Sequence, residues 1–314
     1  MQIQDVTHPP GENAIFITLK FKDMDIAAIR EQVAELCGRA PAIRRSIRIR
    51  KPQGQFDFVM GFGATAWRTL FPNAPKPQEL TEFTEITGEK YNAVATPGDL
   101  FFHLRGNTMD ICYEVAAMIY DLTKNIADSL DEVHGFRYFD GRAIIGFVDG
   151  TENPDAEEAP DYAVIGDEDE FFAGGSYAFA QKYLHNMEAW NALSTEEQEK
   201  AIGRKKFNDL ELADEDKAVN AHNVVAKAED DAGNELKIMR ANVAFANPSK
   251  GEFGTYFIGY AGKFATTRQM LEQMFIGNPK GNYDRLLDFS TPVTGTLFFV
   301  PSYDILDKIA SGEL

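Results

Sequence analysis

The sequence predicts an α+β protein in which one element order, βαββαβ, is laid down twice on antiparallel sheets. Two observations carry that expectation. Strand-like and helix-like hydrophobic patterns follow one another in the same order in each half of the chain, and an acidic, proline-containing segment separates the two runs. The length agrees, because 314 residues exceed one small core and suit one large or two fused domains.

In the first half, residues 1–150, Ala14–Phe21 (AIFITLKF) alternates and is rich in β-branched residues, so it reads as a strand. Ile26, Ile29, Val33 and Leu36 then recur along one face of a helix over Met24–Leu36, with Gly38 as its stop. Phe56–Phe62 and Asp99–Leu104 read as two further strands. Asn107 is the expected N-cap of a long helix reaching about Ile126, and Phe136–Phe139 lies in the closing strand.

Thr151–Glu170 holds nine Asp or Glu between Glu152 and Glu170, which predicts a solvated loop. The second half, residues 151–314, then repeats the order. Tyr177–Tyr183 is a strand, and Asn186–Ile202 is one or two helices with Ser194 capping the second. Leu236–Phe245 and Phe253–Tyr260 are strands, Thr266–Phe275 is a helix ending before Gly277, and Val293–Val300 closes, followed by a short helix. An acidic stretch, Asp209–Asp231, interrupts this half and ends in a turn, AGNE. Two such runs are two ferredoxin-like units, duplicated in element order and not in sequence.

Composition excludes several classes of function. With 31 basic and 49 acidic residues the net charge is −18, which argues against nucleic acid and against anionic membranes. Hydrophobic residues at 44% and aromatic residues at 12% can bury a core with room for a flat apolar ligand. The two cysteines, Cys37 and Cys112, lie in helical patterns and read as reduced core thiols, neither a disulfide framework nor a zinc site. No basic segment followed by an apolar run opens the chain, and no stretch approaches the roughly 18 apolar residues of a membrane span. The expected setting is cytoplasmic.

Three features stand out as chemistry. Of five histidines, His8 lies in a terminal tail and His103, His134 and His185 lie in or beside strands, where structural roles are expected. His222 sits in AHNVVAKA between an acidic stretch and a strand, although position alone does not make it a ligand. In LKIMRANVAF, strand alternation puts Ile238, Arg240, Asn242 and Ala244 on one face and the apolar Met239, Ala241, Val243 and Phe245 on the other. The Arg240 face is then either exposed to solvent or the wall of a cavity. In AIIGFVDGTENP an apolar run breaks at Asp149-Gly150, which by itself is a turn signal.

In combination these motifs are specific. GFVDGTEN, an isolated histidine, Arg-x-Asn on a strand, GTYFIGYAGKF and DRLLDFSTPVTGTLFFVPS occur in order, and WNALSTEEQEKAIGRKK precedes the histidine. Together they resemble the dye-decolorizing peroxidases, in particular the bacterial type B group. The resemblance implies one haem b per chain, held in the C-terminal half. It also implies reduction of hydrogen peroxide through a ferryl intermediate and oxidation of dyes, phenols or other small aromatic donors.

Carried over by residue, the resemblance makes Asp149 the distal acid, Arg240 the distal arginine and Asn242 its companion. His222 becomes the iron ligand, with Asp284 as the partner of its other nitrogen and Asp288 as the alternative. Gly150, Thr151, Glu152, Thr255 and Phe257 are expected around the cofactor, and Arg204 near a propionate. The chain departs from the pattern at Ala226, where the family more often carries arginine, which bears on local packing. The chemistry suits these residue types: a carboxylate can carry the peroxide proton, arginine stays charged beside the breaking O–O bond, and a carboxylate raises the basicity of a ligating imidazole.

Bulky donors cannot reach a buried haem edge, so Trp67, Trp190, Tyr120 and Tyr260 are candidates by type for passing electrons to it. Glu152 is a candidate for holding Mn²⁺. A haem-binding, iron-releasing protein with incidental peroxidase activity is the alternative reading. The resemblance also implies a homo-oligomer. The chain shows no tail of the kind that loads some relatives into protein shells, so encapsulation is not expected.

Overall fold

The structure is a computed structural model that describes residues 2–314. The β-branched and aromatic residues of NAIFITLKF form β1 (Asn13–Phe21). Helix α1 (Ile26–Arg50) follows, then β2 (Asp57–Gly63), β3 (Leu100–Gly106), α2 (Met109–Thr123) and β4 (Ala127–Phe136). The second half supplies β5 (Ser176–His185), α3 (Met187–Asn191) and α4 (Thr195–Ile202). After these come α5 (His222–Val225), β6 (Met239–Asn247), β7 (Glu252–Ala261), α6 (Phe264–Phe275), β8 (Thr296–Val300) and α7 (Tyr303–Ser311).

The strands pair in the order β4-β1-β3-β2 in the first half and β8-β5-β7-β6 in the second, all antiparallel. Each order is that of a ferredoxin-like sheet, with the first and third strands central. The two sheets then meet edge to edge. β8 joins β2 at Phe298↔Gly63 and Phe299↔Phe62, and β6 joins β4 at Ala244↔Phe136. These seams close eight strands into one ring, which protects the edges that each half would otherwise expose. At the second seam a side chain on Gly135 would collide with Val243, so glycine is required for the close approach.

The ring has a filled lumen and a helical coat. Ala14 and Phe16 of β1, Val59, Phe101, Tyr256, Tyr260 and Phe298 point into the lumen. Ile15, Ile17 and Leu19, on the other face of β1, pack with α1, α2 and α7 in the larger core. Cys37 and Cys112 are free and buried, as the sequence leads one to expect.

Several boundaries differ from what the sequence predicts. Helix α1 does not stop at Gly38 but continues through Pro41 to Arg50, because Ala40 and Ile47 extend its buried face. Gly38 instead lets α1 approach α7, since a side chain there would press on Ala310. Asn107 does not cap α2; Thr108 stands at that position, and Asn107 donates to the Gln53 carbonyl. The closing strand of the first half is Ala127–Phe136, not Phe136–Phe139, because ADSLDEVHGF is largely exposed and lacks an apolar alternation. Finally, Glu235–Leu236 pairs with Ala228–Glu229 in a separate hairpin, and β8 begins at Thr296 and not at Val293. The capping box at Ser194 and Glu197 is present.

Phe299 sits on the β2–β8 seam among Trp67, Phe172 and Tyr177, with ring centroids at 5.2, 5.2 and 6.2 Å. Phe299→Ala is expected to lower stability by about 3–5 kcal/mol. Because the ring is shared, denaturant unfolding should remain one transition with a lower midpoint; separate transitions for the two halves would contradict the closed ring.

Candidate active site

Strand β6 projects Ile238, Arg240 and Asn242 into an open pocket, while Met239, Ala241, Val243 and Phe245 pack in the lumen. The alternation in the sequence therefore marks a cavity wall and not a solvent face. The pocket encloses about 1160 Å³, counting the space at its mouth, and every residue lining it lies in the stretch 143–290. Asp149, Gly150, Thr151, Glu152, Arg204, His222, Thr255 and Phe257 all line it.

The loop carrying Asp149 is fastened to β6 by its side chains. Asp149 Oδ2 accepts from the Asn242 backbone N–H at 2.8 Å, and its Oδ1 accepts from Asn242 Nδ2 at 2.7 Å. Four residues on, Asn153 Oδ1 accepts from the Arg240 N–H at 2.9 Å and its Nδ2 donates to the Arg240 carbonyl at 2.8 Å. Two side chains thus take the place of a neighbouring strand along this edge. Gly150 enables the turn, at φ +78°.

Arg240 is left free to act. Among the described residues its guanidinium makes one hydrogen bond, Nη1 to the Ala226 carbonyl at 3.4 Å. Burial pulls its pKa below the ordinary arginine value, opposed by the charges of Asp149, Glu152 and Glu235. Arg204 differs, because Glu152 at 2.8 Å and Asp209 at 3.0 Å already hold it. It forms part of the rim as a neutralised cation.

His222 opens α5, where its Nδ1–H donates to Asp284 Oδ2 at 2.6 Å. Asp284 is fully buried, and its other oxygen accepts from the Leu286 N–H at 2.8 Å. An ionised carboxylate only accepts, so the imidazole must carry its proton on Nδ1, which leaves Nε2 as the free lone pair. Asp288 is elsewhere, bonded to Lys90 at 2.7 Å and Tyr91 at 2.6 Å. A ligating nitrogen, a buried carboxylate behind it, a free arginine and a large, mostly apolar pocket together fit a haem.

Sequence reasoning missed part of the wall. His185 lines the pocket, bonded to Ser290 through Nδ1 and to Thr255 through Nε2, both at 2.8 Å. Gln181 and Tyr183 join it, and the alternation of β5 through 181, 183 and 185 was the available signal. Of the aromatic electron-transfer candidates, Trp67, Trp190 and Tyr260 are buried, whereas Tyr120 is 65% exposed.

The chain belongs to the Dyp-type peroxidases. The family's C-terminal model matches residues 140–305 and its N-terminal model residues 4–137. Among curated relatives, the dye-decolorizing peroxidase of Rhodococcus erythropolis is 47% identical, covering 97% of this chain and 88% of its own length. That of Mycobacterium tuberculosis is 46% identical over 97% and 89%. A dye-decolorizing peroxidase crystal structure from Bacteroides thetaiotaomicron superposes with a TM-score of 0.95 at 58% identity, covering 98% of this chain and 99% of the other. DypB of Rhodococcus jostii gives 0.93 at 46% identity and 97% of each chain. A deferrochelatase of Escherichia coli is far more distant, 26% identical over 62% of this chain and 48% of its own.

Burial pushes the His185 imidazole down to about 4 from its ordinary 6.5. The fold therefore favours the neutral ring, and its contribution is fully present above pH 6.5 and lost as pH falls toward 4. The loss is on the order of 3 kcal/mol. Urea midpoints across this window should fall more steeply for the native protein than for His185→Gln; parallel profiles would contradict the assignment.

Proposed function

We propose that Asp149, Arg240 and Asn242 handle peroxide on one side of a haem b, and that His222 backed by Asp284 ligates its iron from the other. The enzyme class follows from the family: the chain is a Dyp-type haem peroxidase, which implies hydrogen peroxide and a one-electron donor as substrates. One observation carries the residue assignment. His222 is bonded through Nδ1 to a fully buried carboxylate, with Nε2 left free, in the pocket that the Arg240 guanidinium also lines. Haem complexes of Rhodococcus jostii DypB with its aspartate, arginine or asparagine replaced support the reading. The three replaced residues follow one another at the spacing of Asp149, Arg240 and Asn242.

When bound, haem supplies the iron at which peroxide is reduced and from which electrons are drawn. The protein supplies the rest. Asp149, with two hydrogen bonds from Asn242, is held in one orientation and keeps unused lone pairs with which to take a proton and return it. Among the described residues no carboxylate is bonded to Arg240, so its charge is available to the leaving oxygen. Asp284 fixes the tautomer and direction of His222 and makes its free nitrogen more basic. Gly150, Thr151, Glu152, Thr255 and Phe257 would shape the cofactor's surroundings, with Arg204 near a propionate.

We place the division of the chain at 150/151, with the haem held mainly by the second half; most of the pocket lining, from Thr151 to Ser290, supports this, and residues 143–150 join it from the end of the first half. No helix among the described residues is long and apolar enough to cross a membrane. We take the enzyme to be cytoplasmic. We take it to be a homo-oligomer on the strength of the family. The iron-releasing alternative has only the distant deferrochelatase match behind it, so oxidation of a donor is the favoured outcome.

Purified protein should show a haem Soret band. His222→Ala is expected to retain much less haem. Arg240→Leu should retain it but slow the peroxide-induced spectral change by about 10²–10³-fold. A wild-type rate in Arg240→Leu would refute the role of that cation. Asp149→Asn should slow the same step less, because Arg240 remains.

A further inference from the structure

The lumen of the ring contains a column of near-parallel rings that the peroxide chemistry does not use. Tyr260 on β7 lies side by side and nearly coplanar with His103 on β3, centroids 6.2 Å apart and planes at 11°, and His103 stacks with Phe16 on β1 at 4.3 Å and 21°. Phe16 in turn stacks with Tyr256 at 4.0 Å and 15°. Tyr260 and His103 are also joined edge to edge, Oη to Nδ1 at 2.8 Å, with both residues 2% exposed or less.

The pair lies close behind the pocket. β7 turns Thr255 and Phe257 to the pocket and Tyr256 and Tyr260 to the lumen. Tyr260 faces Met239 across the β6–β7 ladder, one position from the Arg240↔Gly259 pair. One backbone layer therefore separates Tyr260 from the site.

The hydrogen bond has a direction. A phenol is the better donor and an imidazole nitrogen the better acceptor, so Tyr260 O–H donates to His103 Nδ1 and the His103 proton sits on Nε2. Among the described residues Nε2 has no partner, a buried polar atom with no structural return. Burial holds His103 neutral, with its pKa well below the ordinary histidine value, so Nδ1 is open to a proton. Tyr256, at the far end of the column, has no hydrogen-bonded base among the described residues: its hydroxyl approaches that of Thr18, and Asp131 acts on it through its charge.

We infer that Tyr260 is an internal redox residue, oxidised by the peroxide-treated haem with its proton passing to His103. The inference rests on the peroxidase reading above. In the step, one electron leaves Tyr260 for the haem, which is reduced by one equivalent. The phenolic O–H bond breaks, an N–H bond forms at His103 Nδ1, and a neutral tyrosyl radical faces an imidazolium. An electron from the donor and the proton from His103 then restore Tyr260. The pair holds an oxidising equivalent inside the protein, away from solvent, until a donor arrives.

The test is electron paramagnetic resonance on haem-loaded enzyme, frozen shortly after mixing with peroxide and without donor. The native protein should give a tyrosyl radical, and Tyr260→Phe, which removes only a hydroxyl, should lose it while binding haem as before. An undiminished radical in Tyr260→Phe, or none in native protein whose haem spectrum responds to peroxide, overturns the inference. Should the variant not fold, electron–nuclear double resonance of the native radical in H₂O and D₂O decides. A strongly coupled exchangeable proton, the one shared with His103, is expected, and its absence overturns the inference. If peroxide leaves the haem spectrum unchanged, the peroxidase reading fails and takes this inference with it.

Discussion

Beside Arg240 and Asn242, β6 has no strand neighbour on its outer edge, and the side chains of Asp149 and Asn153 fill that gap. Unpaired N–H and C=O groups in a half-buried edge are costly, so something must satisfy them. β4 does so only at Ala244. Beyond it, Asn153 bonds both backbone groups of Arg240, and Asp149 bonds the N–H of Asn242. Completing the sheet and placing the acid are therefore one event, and they set Asp149 in the same pocket wall as the cation. Neither residue could be moved without opening the edge.

Electrostatics sorts the cations of this acidic chain. Arg204 is taken up by Glu152 and Asp209, and Lys205 and Lys217 by nearby glutamates. Arg240 is spared an ion pair: its guanidinium bonds only the Ala226 carbonyl among the described residues, and Asp149, Glu152 and Glu235 act on it through their charge. A free arginine in a pocket of a protein with net charge −18 has been kept at a desolvation cost, which points to a negative charge that arrives during function.

The sheet of the first half supplies no residue to the pocket, whose lining begins at Ala143, yet the pocket depends on that sheet. It closes the ring, and Phe16, Val59 and Phe101 fill the lumen behind β6 and β7. That packing gives the site strands to grow from, which hold side chains more rigidly than loops do. His222 lies outside the ring on a short helix, and the buried Asp284 holds its ring from behind.

Much of this was legible in the chain itself. Hydrophobic period alone determined the doubled βαββαβ order, because each strand and helix must turn one face inward whatever its neighbours are. Alternation along β6 likewise determined that Arg240 and Asn242 share a face opposite four core residues. The motif set determined the family and the residues to look for. The closing strand Ala127–Phe136 was hidden because its exposed side chains leave no period to read, and Gly38 looked like a stop because close helix packing leaves no mark in local sequence. Only the tertiary structure could choose Asp284 over Asp288, since both lie in one short segment and the choice turns on which carboxylate is buried against His222. The same holds for Asn153 as a surrogate strand, for His185 in the wall and for the Tyr260–His103 pair. Each depends on contacts between residues far apart in sequence, which no local pattern encodes.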